Sequence, residues 1–292
     1  VARVPEVVTQ AHVDAFARDG FVVVDDLLAT DELDHFEAIV TAAVARRTLG
    51  APPLDERSAY QQSFFQCMNL WEDTPDARPL TFHPRLAQAA AELLGVDAIR
   101  LWHDQALYKT AGGRETDAHQ DQPYWPITET DTITAWVPFG GSTLESGAMG
   151  YLPGSHRAGV RKFVNIFAAE DPKVLLDLPE IRSIEPVWVE VPRGGVAFHG
   201  GLTVHMAKPN TTGSDRAVHT IIYLADGCTR RNQAFHPSVD RDGIQVGALI
   251  DGACTPIVWP RRRGEYPAPP PPMPDVVYRL ATPGTLPERD VS

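Results

Sequence analysis

The chain has 292 residues, 43% of them hydrophobic and 22% charged, the composition of a folded globular protein, which excludes wholesale disorder. A formal net charge of −12 excludes the basic footprint that a nucleic-acid backbone demands. It also weighs against a polyanionic substrate such as an acyl-CoA, unless the Arg261-Arg262-Arg263 run serves it.

Three cysteines with no CxxC spacing argue against a disulfide framework or a thiolate zinc site. No apolar run is long enough to span a bilayer, so no membrane partner is expected. Val1-Ala-Arg-Val-Pro5 carries no signal-peptide apolar stretch and no initiator Met, so the expectation is a cytoplasmic protein whose numbered chain is trimmed. A chain of this length commonly folds as one β-rich domain. The expected division is helical elements over 1–97, a β core over about 98–226, and an extension over 227–292.

In chain order, residues 9–19 have helical apolar spacing and end at Gly20, and Phe21-Val-Val-Val24 reads as a short buried strand. A capping box from Thr30 to Glu32 or Asp34 predicts an amphipathic helix to about Thr48. Residues 52–76 mix Tyr60, Phe64, Phe65 and Trp71 with Gln66 and Asn69, and read as a long aromatic loop that either covers a site or anchors itself. A helix follows over Pro84–Leu94, stopped by Gly95.

From Ile99 the chain becomes short β-branched and aromatic runs punctuated by turns. Strands are predicted over Ile99–Lys109, Ile133–Phe139, Met149–Leu152, Val187–Val191, Val196–His199 and Ala217–Leu224, the pattern of a sandwich or jelly roll. Residues 158–184 read as an insertion with a helix near Asp171–Leu178, and the Pro-rich end from Pro267 to Pro274 favours extended polyproline.

His119-Gln120-Asp121 places an imidazole and a carboxylate two residues apart, on one side of the chain if the segment is a strand. His205 supplies a second imidazole, and Arg216 follows eleven positions later at the head of an apolar strand. Two histidines and one carboxylate form the facial triad that holds ferrous iron and leaves positions open for a cosubstrate and oxygen. A delayed arginine suits a dicarboxylate cosubstrate, because its planar fork offers two parallel charge-assisted hydrogen bonds. His103, His156, His199 and His219 are read as structural, and Asp104 as lying near the mouth without a catalytic task.

These residues, with Lys109, Tyr124, Pro126, Trp136 and the Gly147–His156 stretch, resemble the phytanoyl-CoA dioxygenase family of iron(II)/2-oxoglutarate oxygenases. The likeness covers roughly residues 10–226 and is densest over 99–226. It implies a mainly β fold with flanking helices, a double-stranded β-helix (a cupin-like jelly roll), in a single oxygenase domain. It also implies that His119, Asp121 and His205 bind Fe(II), that Arg216 pairs with 2-oxoglutarate, and that Gln105 and Trp136 make further cosubstrate contacts.

Related halogenases carry Gly or Ala where this chain keeps Asp121, so the resemblance favours oxygenation. The implied reaction uses dioxygen to oxidise a C–H bond of a small-molecule substrate, with release of succinate and carbon dioxide. The aromatics of the 60–71 segment, Tyr124, Trp125 and Phe235 are candidate pocket walls suited to bulky apolar or ring substrates, and the resemblance to a family with many tailoring oxygenases implies a specialised metabolite. The alternatives are a metal-dependent jelly-roll isomerase or epimerase, and a non-catalytic binding protein on the same fold.

Overall fold

The computed structural model describes residues 6–161, 175–260 and 266–272. Arg261–Arg263, the first part of the expected 171–178 helix and Pro274 lie outside them. Eleven strands appear among the described residues: β1 Phe21–Val24, β2 Phe65–Met68, β3 Ile99–Lys109, β4 Thr116–His119, β5 Thr132–Pro138, β6 Met149–Tyr151, β7 Val187–Val189, β8 Val196–Gly200, β9 His205–Ala207, β10 Arg216–Ala225 and β11 Ile257–Trp259. They form two antiparallel sheets. The larger runs β1-β8-β5-β10-β3-β11 with β2 added beside β3, and the smaller runs β4-β9-β6-β7. The architecture is mainly β with flanking helices, a jelly roll.

Alternation along the central strands sorts the larger sheet into two faces. Ile133, Ala135 and Val137 of β5 join Ile221 and Tyr223 of β10 and Phe198 of β8 in one core with Leu33, Val40, Leu86 and Ala90 of the helices. The intervening residues, Trp136 of β5, Val218 of β10 and Ala197 of β8, pack with Met149 and Tyr151 of the smaller sheet. One face is therefore sealed by helices, and the other, with the small sheet opposite, encloses the interior where the polar side chains gather.

Helices Gln10–Asp19 and Pro84–Leu94 end as expected, on Gly20 and Gly95 with positive φ. The helix Thr30–Arg47 begins one residue earlier in its capping than the sequence suggests: Ala29 is the N-cap and its N–H donates to Glu32 at 3.1 Å. The 52–76 segment is not a loop but short helices around β2, whose edge pairing with β3 no periodicity over four residues could announce. Residues 175–178 form turns rather than a helix; Leu175 and Ile181 bury against Ala118, Leu152 and Val204 instead. Strands β1, β2 and β11, from outside 98–226, complete the larger sheet.

One irregularity matters for the site. In the β10–β3 pairing, Ile222 faces His103 but Tyr223 faces Leu101, so Trp102 is the extra residue of a β-bulge. A bulge changes the phase of the alternation and re-aims the side chains beyond it.

Candidate active site

β4 and β9 pair antiparallel with His119 directly opposite His205, which brings the two rings to 4.2 Å between centroids. Asp121 does not lie on the strand, as the sequence pattern assumed. β4 ends at His119, and Asp121 has helical backbone angles at the start of a 3-10 turn over Gln122–Tyr124. Its carboxylate reaches the histidines because the chain turns, and neighbouring glutamines hold that turn. Gln120 donates to Leu202 O (2.6 Å) and Gly159 O (3.0 Å), while Gln122 N–H donates to Gly201 O (2.9 Å) and its side-chain oxygen accepts from Thr132 (2.8 Å). The loop carrying Asp121 is thus stitched to the loop that leads into His205.

Both histidines present the same nitrogen. Nδ1 of His119 lies 2.8 Å from Asp117 O and Nδ1 of His205 lies 3.0 Å from Thr203 O, so each Nδ1–H donates to a carbonyl and each Nε2 keeps its lone pair. Each Nε2 stands 3.8 Å from Asp121 Oδ1, too far for a hydrogen bond. Two lone pairs and a carboxylate oxygen converging with no proton among them call for a cation, and a carbonyl on the far nitrogen is the usual support of a metal-bound histidine. His119, Asp121 and His205 are the one such cluster of possible ligands among the described residues.

The other carboxylate oxygen is held separately. Asp121 Oδ2 accepts from Thr134 Oγ1 at 3.4 Å and lies 3.5 Å from His199 Nε2, and Tyr151 O–H approaches His199 Nδ1 at 3.2 Å. His199 is therefore part of the site, contrary to the structural role read from the sequence. It sits on the inward row of β8, and no fixed spacing to His205 would have marked it. Burial would raise the Asp121 pKa, but the imidazoles of His205, His199 and His119 outweigh it and hold the carboxyl well below the usual range.

Arg216 heads β10 opposite Lys109 at the end of β3. Both are buried. Arg216 donates to Gly147 O and lies over the Trp136 ring, 5.1 Å from its centroid, while its Nε has no partner. No carboxylate pairs with it among the described residues. Burial pushes its pKa down to about 10; burial and then the Arg216 charge push Lys109 down to about 6. A buried guanidinium without a counter-ion is costly unless an anion arrives. Gly147 turns the chain beneath this corner at φ +98°, and a Cβ there would come 2.8 Å from Lys109 Cδ and 2.9 Å from Lys208 O. Gly147→Ala should accordingly cost about 1–3 kcal/mol in urea unfolding, and an unchanged midpoint would mean that the corner adjusts freely.

Gln105 and Trp136 line the same cavity, as do Tyr60, Phe64, Tyr124, Trp125 and Phe235. Tyr60 O–H donates to Gln66 Oε1 at 2.6 Å and the Gln66 amide donates to Gln105 Oε1, which leaves the Gln105 NH2 without a partner in that chain of bonds. His103 also lines the cavity rather than packing in a core. His219 and His156 do have structural settings: His219 Nε2 lies 3.3 Å from the buried Asp104 Oδ2, and His156 Nε2 lies 3.3 Å from Ala17 O. Asp104 is not near the mouth; it faces the helices, where Thr81 donates to it at 2.8 Å.

Burial pushes the imidazoles of His103, His119 and His205 each down to about 4. An unfolded imidazole titrates near ~6.5. Between those values the unfolded chain binds more protons than the folded one, so the metal-free protein should lose stability as pH falls from about 6.5 toward about 4. Unfolding midpoints taken at about pH 7.5, 6 and 5 check this; a flat profile would contradict the burial of neutral rings.

The family model described as phytanoyl-CoA dioxygenase (PhyH) matches residues 16–218. The chain belongs to that family. Among curated members, a Phytanoyl-CoA dioxygenase domain-containing protein 1 homolog of Dictyostelium discoideum is 31% identical over 116 residues, 38% of this chain and 41% of that protein. A probable alpha-ketoglutarate-dependent hypophosphite dioxygenase of Stutzerimonas stutzeri is 28% identical over 130 residues, 44% of this chain. The match spans less than half of either relative, 41% and 46%. Among solved structures, the non-heme alpha ketoglutarate dependent carbocyclase SnoK from nogalamycin biosynthesis superposes with a TM-score of 0.69 at 26% identity, over 86% of this chain and 96% of that one. The PhyH match contains all of His119, Asp121, His205 and Arg216, and stops before Phe235.

Proposed function

We propose that this PhyH-family chain is an Fe(II)/2-oxoglutarate-dependent dioxygenase that oxidises an unactivated C–H bond of a small organic substrate, a specialised metabolite in the reading we favour. The observation that carries it is the convergence of the two free Nε2 lone pairs and Asp121 Oδ1, beside a buried arginine that has no counter-ion among the described residues. His119, Asp121 and His205 would hold the iron through those three atoms. Arg216, with Lys109 beside it, would bind the distal carboxylate of 2-oxoglutarate, and Trp136 and Gln105 would make its further contacts. When bound, iron and 2-oxoglutarate supply the oxygen-activating chemistry, with release of succinate and carbon dioxide.

The chain's own residues do the placing. Asp117 O and Thr203 O keep the ligand tautomers, Thr134 and His199 keep the Asp121 carboxylate turned with Oδ1 toward the histidines, and the aromatic walls exclude water from the reacting bond. The likeness to a carbocyclase acting in nogalamycin biosynthesis supports a natural-product substrate and adds ring closure to hydroxylation as an outcome of C–H oxidation. A single domain over 1–292 belongs to the same proposal. The test is an anaerobic titration of the metal-free protein with ferrous iron and then 2-oxoglutarate. A visible charge-transfer band that needs both additions supports the reading; iron binding with no band on adding 2-oxoglutarate removes it and favours an isomerase or a binding protein.

A further inference from the structure

Beyond the residues assigned above to iron and cosubstrate, the cavity is lined by a further group around His103. Counting back along β3 from Lys109, the inward row reads Leu107, Gln105, His103. Counting forward from Ile99 and Leu101, which pack against the helices, simple alternation would turn His103 outward. The bulge at Trp102 reverses the phase and aims the imidazole into the cavity. His103 is 4% exposed, its ring interacts with the backbone of Asp104, and its Nδ1 has no hydrogen-bond partner among the described residues. A buried, unpartnered ring nitrogen in a ligand cavity is a polar group awaiting a partner.

What surrounds it is aromatic. Trp125 meets the His103 ring edge-on at 6.5 Å, and His236 lies tilted against it at 5.7 Å while stacking on Trp102 at 4.2 Å and 18°. His236 belongs to the chain beyond the PhyH match, which is docked onto the bulge by the Ser238 hydroxyl donating to Trp102 O at 2.7 Å. That same segment brings Phe235 to the wall. Among the described residues lining the cavity, the formally charged ones are Asp121 and Arg216, both already assigned to iron and cosubstrate. Burial keeps His103 itself neutral. The rest of the described lining therefore offers ring faces, imidazoles and neutral polar groups, and no formally charged side chain to balance a charge on the part of the substrate that enters it.

We propose that His103 and the aromatic wall of Tyr124, Trp125 and Phe235 form a recognition subsite for an uncharged, planar aromatic substrate, the imidazole hydrogen-bonding a hydroxyl or carbonyl on its ring system. The assignment rests on the oxygenase reading for what happens to the substrate, but the binding itself does not need iron. The segment carrying Phe235 and His236, beyond the PhyH match, then acts as a specificity element.

Equilibrium dialysis of the metal-free protein, repeated with Fe(II) and 2-oxoglutarate under nitrogen, tests it with three size-matched probes: 2-naphthol, 2-methylnaphthalene and 2-naphthalenesulfonate. Once Fe(II) and 2-oxoglutarate occupy the metal ligands and Arg216, the wild type should bind 2-naphthol most tightly and the sulfonate least. His103→Leu should weaken 2-naphthol by about tenfold, the loss of one buried hydrogen bond, and leave 2-methylnaphthalene unchanged. His103→Gln, which retains a donor and an acceptor, should recover part of the difference, and Phe235→Ala should weaken 2-naphthol and 2-methylnaphthalene alike. Equal binding of 2-naphthol by wild type and both His103 variants, preference of the loaded protein for the sulfonate, or no binding of any probe would overturn the proposal. Absence of the visible band in the loaded wild type would overturn the oxygenase reading instead, since probe binding to the metal-free protein is read independently.

Discussion

Asp121→Ala should abolish succinate release and weaken ferrous iron binding by more than about a hundredfold. The scale follows from metal sites in which loss of an outer partner alone costs about 10–100-fold, whereas here an anionic ligand itself is removed. Two neutral imidazoles would remain, with Nε2 atoms aimed at the same point but no charge to offset that of the ion. The fold should survive. Asp121 sits at a turn fixed by Gln120 and Gln122 through bonds that do not involve its own side chain. Isothermal titration with iron under nitrogen, beside far-ultraviolet circular dichroism, separates the two effects; a variant that still binds iron tightly and still releases succinate would sink the metal assignment.

Arg216→Met should move two quantities in opposite directions. Truncating one partner of a buried charge pair costs about 2–5 kcal/mol, so 2-oxoglutarate affinity should fall by roughly 30- to several-thousand-fold. The metal-free, cosubstrate-free protein should be as stable as the wild type or more so, because burial already disfavours the Arg216 charge and no carboxylate offsets it among the described residues. The thermal shift produced by saturating 2-oxoglutarate should accordingly vanish in the variant. If affinity and thermal shift both persisted, Arg216 would be a packing residue over Trp136 and the anion would bind elsewhere.

His119, Asp121, His205 and Arg216 could be read from the sequence because their chemistry is rare in combination and their order along the chain is constrained. The main strands and the helices ending at Gly20 and Gly95 were legible for a different reason: alternation, helical spacing and positive-φ glycines are local signals. The short strands β2, β4, β9 and β11 were not, since their pairing is decided by partners far along the chain. The cap at Ala29 was missed by one residue because the pattern placed a hydroxyl there, whereas Glu32 reaches back to a backbone N–H that any residue supplies.

By itself, then, the sequence carried the periodicity of a sandwich or jelly roll, the family resemblance that selects the jelly roll, and the donor set and arginine that the resemblance implies. Tertiary structure alone decided how the donors meet and which other side chains join them. Asp121 reaches the histidines through a turn held by the 200–202 loop, and His199 enters through the inward row of β8. His103 faces the cavity because a single extra residue, Trp102, shifts the alternation of β3 against β10. A bulge exists only in the pairing of two strands, so no reading of one strand could have assigned that imidazole to its side of the sheet.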